Sequence, residues 1–327
     1  MIQKRLSYSV SFMFYILTNI RMRTKSTGLK LRKLGNDAFS LETPPEHIKL
    51  HAIVLAVAKK QSGKSFLLTN ILSQLQKAGS IQRIIVVSDT FDSNKKMMDD
   101  LNIRPGDVYS PSDPDVVTKI TDTINAERDD LQRYRDEMKR YKELDKRLMN
   151  ASVWDEFLTP ELLSLYNPDT DEFEEPKHWL NGKPVGIAVL LDDIQSSPIV
   201  SNKAFRNLCI KHRHIGAFPD GSPPIGCSIF CAIQNYTAQG GDGIPKAIRG
   251  NVNCVAIWRT GNAKELDLLM TELSGQIPKE KLLRAYHAVM DKDPDDRHAC
   301  LFVDLNPKPH HPSPFRINYT DWLILDD

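Results

Sequence analysis

Residues 58–65 read AKKQSGKS and stand between an apolar run, HAIVLAVA at 51–58, and an amphipathic stretch, SFLLTNILSQLQKAG. The spacing follows the phosphate-loop pattern G-x-x-x-x-G-K-[ST], with Ala58 at the first glycine position. In such a loop Gly63 lets the backbone pass close to phosphates, and the amides of Gln61, Ser62, Gly63, Lys64 and Ser65 turn inward at the helix start. Lys64 then reaches the β- and γ-phosphates, and the Ser65 hydroxyl takes a magnesium position. The expected nucleotide-binding stretch is Ala58, Lys59, Lys60, Gln61, Ser62, Gly63, Lys64, Ser65 and Phe66, with ATP and Mg2+ as ligands. Alanine in place of the first glycine is tolerated unless that residue needs a positive φ.

A second feature is LLDD at 190–193, which closes the apolar run beginning at Gly186. An acid at the carboxyl end of a buried strand beside a phosphate loop binds magnesium, directly or through water. Asp192 is the candidate for that position. Asp193 is then placed to orient or deprotonate an attacking water. Gln234 ends a third apolar run, CSIFCAIQ, where its amide is suited to hydrogen-bond that water or the γ-phosphate. In additional-strand phosphate-loop ATPases a strand of this kind lies between the one bearing the loop and the one bearing the acids.

These residues need rigid elements to bring them together. The runs at 51–58, 83–89, 186–193, 227–234 and 253–259 are short and continuously apolar, with polar residues at their carboxyl ends. That is the pattern of strands buried on both faces, and the helix-like stretches between them predict a mostly parallel sheet flanked by helices. HACLFVDL (298–305) and FRINY (315–319) predict a terminal hairpin. Between the second and third strands, 15 of the 22 residues from 126 to 147 are charged. Apolar residues Leu131, Tyr134, Met138, Tyr141, Leu144 and Leu148 recur there at spacings of three and four. This is a long helix with one narrow apolar stripe, either lying on the domain or projecting to a neighbour. Residues 151–183, aromatic and acidic with three prolines, read as part of the same insertion, about 115–183.

Composition excludes several classes. The chain has 327 residues, 43 Lys+Arg against 42 Asp+Glu, and 41% hydrophobic residues. It is neither a disordered polymer nor a histone-like polycation, although a neutral body still accommodates a local basic surface. Five cysteines without a CxxC pair argue against a disulfide framework and for a reducing compartment. Cys227 and Cys231 share one strand face with no His or acid to complete a zinc site, so they read as core. Residues 1–34 carry eight Lys/Arg and no acid, and their apolar run VSFMFYIL is too short to span a bilayer. Residues 1–45 are therefore expected to be a basic, poorly ordered arm, with Met22 a candidate start, and 46–327 the ATPase domain.

Taken together, these elements resemble the FtsK/HerA superfamily, and within it the viral genome-packaging ATPases of the poxvirus, giant-virus and virophage group. The resemblance covers about 50–325. It rests on the loop 58–65, LLDD at 190–193, a helix carrying His212, Arg213 and His214, the strand ending in Gln234, and IPKAIRGN at 244–251. It implies a RecA-like additional-strand P-loop NTPase core of the α/β class with a long charged helical insertion. Asp192 and Asp193 are then magnesium ligand and catalytic base, and Gln234 a polar sensor. Arg249 is the carry-over candidate for an arginine finger acting on a neighbouring subunit, with Arg213 the runner-up and a local capping or pairing role the alternative. The implied activity is ATP-driven translocation of double-stranded DNA, independent of sequence, into an icosahedral capsid. The implied partners are further copies in a ring and capsid or portal proteins, inside an infected cell or in the virion. A nucleoside kinase and a nucleotide-binding assembly protein with weak hydrolysis are the alternatives. The kinase lacks an arginine-bearing lid in this sequence, and the intact Lys64, Ser65, Asp192 and Asp193 oppose the other.

Overall fold

The computed structural model describes residues 41–92, 98–150, 160–163, 165–167, 169, 172–195, 197–237, 243–293 and 295–326. The expected basic arm lies outside the described residues up to position 40, as does 151–159 of the expected insertion.

The predicted apolar runs become strands β1 (Ile53–Val57), β2 (Arg83–Val87), β6 (Ile187–Asp192), β7 (Ser228–Ile233) and β8 (Cys254–Trp258). Shorter strands are β3 (Val108–Tyr109), β4 (Tyr166–Asn167) and β5 (Glu172–Phe173). The chain ends with β9 (Cys300–Asp304), β10 (Phe315–Ile317) and β11 (Asp321–Trp322). Nine of them form one sheet in the order β11-β10-β9-β8-β1-β7-β6-β2-β3, and β4 and β5 pair separately. Pairing is parallel from β8 through β3 and antiparallel from β8 through β11, so the predicted hairpin extends the sheet edge.

Both faces of the sheet are covered, which explains the continuous apolar runs. Helix α1 (Lys64–Lys77) buries Leu68, Ile71, Leu72 and Leu75 against one face. Ala56 stands in register with Ala232 of β7 and Ala256 of β8 on that face, and this row of small side chains leaves room for α1. The opposite face, with Ile53, Leu55 and Val57, is covered by α2 (Val116–Asn150), α5 (Lys203–Lys211), α7 (Ala263–Leu273) and α8 (Lys279–Met290). Three one-turn helices, α3 (Pro160–Leu163), α4 (Pro198–Ser201) and α6 (Lys246–Arg249), and a 3-10 turn at Pro105–Asp107 complete the described elements.

The charged helix is α2. Its first half is integral to the core through Val116, Val117, Ile120 and Ile124, and Leu131 and Leu144 of the predicted stripe are also buried. Buried Glu127 anchors it: Arg83 of β2 bonds the Glu127 carboxylate at 2.7 Å and, through two nitrogens, Asp107 at 2.6 and 2.7 Å. The Trp179 indole adds a hydrogen bond to Glu127 at 3.2 Å. The carboxylate hydrogen bonds hold the Arg83 guanidinium above its ordinary pKa. All five cysteines are free and buried, and burial pushes the Cys227 thiol up to about 12. Among the described residues no helix is long and apolar enough to cross a membrane.

Candidate functional site

Strand β1 enters the loop at Val57, and Ala58 donates its amide to the Ile233 carbonyl of β7 at 3.1 Å. Among the described residues positive φ falls on Gln61 (63°) and Gly63 (96°) in this loop and not on Ala58. The alanine is therefore unstrained, and the glycine requirement is at Gly63, where a β-carbon would also come 3.4 Å from the His298 ring. Gly63 precedes α1 in the left-handed conformation and accepts the Leu67 amide at 2.9 Å. The first amides of α1 are thus left at a helix amino terminus, where phosphate oxygens are their natural acceptors.

Lys64 curls back over the loop and donates to the carbonyls of Ala58 and Lys59 at 2.8 and 2.9 Å. Burial lowers its pKa, against the opposing pull of Asp193 and Asp192, and Lys60 lowers it further. The Ser65 hydroxyl donates to Asp192 Oδ1 at 2.5 Å. Asp192, 3% exposed, is the last residue of β6 and lies beside Ala232 of β7. Two hard oxygen donors meeting at a phosphate loop suit magnesium, which takes one or two protein oxygens together with substrate phosphates. Ser65 and Asp192 are the residues that would hold it.

One residue further, Asp193 takes a φ of 51°, a left-handed conformation that aspartate tolerates better than most side chains. Its Oδ1 accepts the Gln234 amide at 2.8 Å, and Lys60 Nζ stands 4.0 Å from Oδ2. Gln195 Oε1 accepts the backbone amides of Gln234 and Asn235 at 2.7 and 3.1 Å, tying the exit of β7 to the exit of β6. Sequence reasoning gave Gln195 no role, because a glutamine three residues past the first acid has no spacing signature. Beyond Asn235, the Glu265 carboxylate of α7 accepts the amides of Tyr236 and Thr237. The loop 58–65, Asp192, Asp193 and Gln234 thus converge at the carboxyl ends of β1, β6 and β7.

Arg249 does not join them. It forms a two-point ion pair with Glu272 of α7, both bonds at 2.9 Å, and a third bond to the Ile244 carbonyl at 2.7 Å. Its guanidinium also lies 5.0 Å from the centre of the Tyr236 ring, whose hydroxyl donates to the same Glu272 at 2.7 Å. Burial pushes Glu272 upward, but the bonds from Arg249 and Tyr236 outweigh it and hold the carboxyl below its ordinary pKa. Every nitrogen of this side chain has an acceptor within its own chain, which is the pairing role weighed as the alternative.

The cluster His212, Arg213 and His214 also divides. Arg213 and His214 are exposed, but His212, at the end of α5, is buried and bonds the carbonyls of Cys209 and His51 at 2.8 and 3.3 Å. It braces α5 against the start of β1, at the sheet end opposite the loop, and does not belong to a polar surface.

No protein-family model matches the chain, and no curated protein matches it. Among solved structures it is similar to the genome packaging NTPase B204 from Sulfolobus turreted icosahedral virus 2 in complex with AMPPCP. The two are 15% identical over 81% of this chain and 96% of that one, with a TM-score of 0.40. It is similar also to the cytoplasmic domain of the type VII secretion ATPase EccC from Thermomonospora curvata, at 12% identity over 80% of this chain and 24% of that one, with a TM-score of 0.38. A third similar structure is EssC (ATPases 2 and 3) from Geobacillus thermodenitrificans, 15% identical over 67% of this chain and 34% of that one, with a TM-score of 0.37. The chain's own topology identifies its fold: an α/β sheet in which the Gln234 strand lies between the loop strand and the acid strand, as expected of the additional-strand arrangement.

Proposed function

We propose that this chain hydrolyses ATP to drive double-stranded DNA into an icosahedral viral capsid. The observation that carries the hydrolytic part is the hydrogen bond from Gln234 to Asp193, beside Lys64 and the Ser65–Asp192 pair. A carboxylate at a strand end, oriented by an amide and facing a loop suited to phosphates, is what activation of a water for attack on a γ-phosphoryl group needs.

In this reading Lys64 exchanges its two carbonyl partners for phosphate oxygens, and the amides at the start of α1 hold the phosphate chain. Water attacks the γ-phosphorus, its proton passes to Asp193, and ADP leaves with inorganic phosphate as the second product. Gln234 orients the water and the Asp193 carboxylate. Ser65 and Asp192 would hold magnesium, which would supply neutralisation of phosphate charge.

DNA translocation rests on the sequence resemblance to packaging ATPases. The proposed assembly is a homo-oligomeric ring at a capsid or portal vertex, working inside an infected cell. The basic residues at 21–33 are offered to DNA phosphates or the capsid. The test is ATP turnover with and without long duplex DNA at several salt concentrations. Stimulation that falls steeply with salt supports a motor gripping the phosphate backbone. Turnover indifferent to DNA, with phosphate transferred to added nucleosides, would replace the motor with a kinase.

A further inference from the structure

Strand β9 runs antiparallel to β8, and this reversal brings its beginning to the rim where the parallel strands end. Trp258, the last residue of β8, stands in register with Cys300, the first of β9. His298 lies just before that start and 236 residues from Ser62 in sequence, yet its Nδ1 is 3.3 Å from the Ser62 carbonyl oxygen of the phosphate loop. A carbonyl oxygen only accepts, so the ring donates from Nδ1. The backbone carrying the ring is held on both sides. The Trp258 indole donates to the His298 carbonyl at 3.0 Å, and Asp296 Oδ1 accepts the amides of His298 and Ala299 at 2.8 and 3.2 Å. The His298 side chain itself is exposed, so the core does not depend on it.

We infer that His298 is a positioning residue for the phosphate loop, fixing the direction of the Gly63 amide. The inference deepens the proposed function and rests on its phosphate-loop reading. The Ser62 carbonyl and the Gly63 N–H belong to one planar trans peptide group, so they point in opposite directions. A donor that holds the carbonyl from the β9 side therefore directs the amide the other way, into the loop, where phosphate oxygens are its acceptors. Gly63, at a φ of 96°, has no β-carbon to restrict its backbone, so this peptide gains most from an external brace. The preceding carbonyls are held from within the loop. Lys64 Nζ bonds those of Ala58 and Lys59, and the Ser62 hydroxyl adds a bond to the Lys59 carbonyl at 2.9 Å. On the proposed mechanism Lys64 leaves both carbonyls for phosphate oxygens. The His298 bond lies on the far side of its peptide group from the phosphates and is kept, so it holds the loop in shape while Lys64 moves.

The experiment is calorimetric titration of the full chain with ATP and with inorganic tripolyphosphate, beside steady-state turnover, in wild type, His298→Ala, His298→Asn and Lys64→Ala. Asparagine places its side-chain amide nitrogen where Nδ1 stands and so keeps the donor. Thermal melts establish that each variant folds, and the exposed position of His298 predicts little change in Tm. His298→Ala should weaken ATP and tripolyphosphate alike by about tenfold, the scale of one hydrogen bond to a charged group. KM should rise with kcat nearly unchanged, because the amide holds phosphates equally before and during the reaction. His298→Asn should recover most of both affinities. Unchanged ATP binding in His298→Ala, or an asparagine variant no better than the alanine one, would overturn the positioning role. A loss confined to ATP would overturn it as well, by placing His298 against the base rather than the loop. Wild-type binding indifferent to Lys64→Ala would instead overturn the loop reading, and the His298 assignment with it.

Discussion

Gln234 and Asp193 stand at the ends of adjacent parallel strands and meet through a hydrogen bond of 2.8 Å from amide to carboxylate. The bond joins two elements that nothing near in sequence connects, and Gln195 keeps it in register by accepting the backbone amide of Gln234. On the proposed mechanism Asp193→Asn should lower turnover by about 10²–10⁴-fold, the scale of lost general-base assistance. Gln234→Ala should cost about 10²-fold and Gln195→Ala about tenfold, with nucleotide affinity nearly unchanged in all three. Phosphate release and calorimetric affinity, measured together, check this. A loss of affinity equal to the loss of turnover would assign these residues to binding.

Lys64 should set an alkaline limit. Its pKa lies below the ordinary 10.5, chiefly through burial. The ammonium form needed for phosphates is therefore present at low pH and lost as pH rises through that depressed value. The alkaline limb of kcat/KM, which reports the free protein, should accordingly fall below pH 10.5, and Lys64→Arg should move it upward in whatever activity remains.

Ala58 should be functionally silent. Because it does not occupy a positive-φ position, Ala58→Gly has no strain to relieve and should change turnover by less than about threefold. A large gain in that variant would show that the alanine restrains the loop.

Arg249 should act on stability. Its pair with Glu272 is mostly buried, with side-chain exposures of 12% and 23%. Removing one partner should cost about 2 kcal/mol, less than for a fully buried pair, and lower Tm by a few degrees. Turnover measured well below Tm should persist. Rescue of Arg249→Ala by mixing with Asp193→Asn protein would instead restore the trans-acting role.

Mild acid should destabilise the fold. His47, His212 and His311 all have pKa values below the ordinary 6.5, each mainly through burial. Their neutral forms stabilise the native state fully above 6.5, and that contribution is lost as pH falls through the depressed values. Tm should decline with acidification from pH 7 to 5, less steeply in His212→Gln. A flat profile would contradict the burial of these rings.

The strands bearing the site were legible because each is buried on both faces and so reads as an uninterrupted apolar run. The phosphate loop was legible because its glycine, lysine and serine are consecutive in sequence and lie between strand and helix. The fate of Arg249 was not, because its partner Glu272 is 23 residues away on another helix and shares no periodic pattern with it. The same holds for Gln195, whose role is to accept two amides across a sheet. The long charged helix was legible as a helix, but not as a core element, since Arg83, paired with Asp107, meets its buried Glu127 only in three dimensions.

The most direct measurement is ATP turnover in magnesium buffer by wild type, Lys64→Ala and Asp193→Asn, each with and without long duplex DNA. The expected result is turnover by wild type that rises with DNA and disappears in both variants while Asp193→Asn still binds ATP. Wild-type turnover equal to that of Asp193→Asn, under conditions where ATP is bound, would contradict the assignment of Asp193 and Gln234 as a hydrolytic pair.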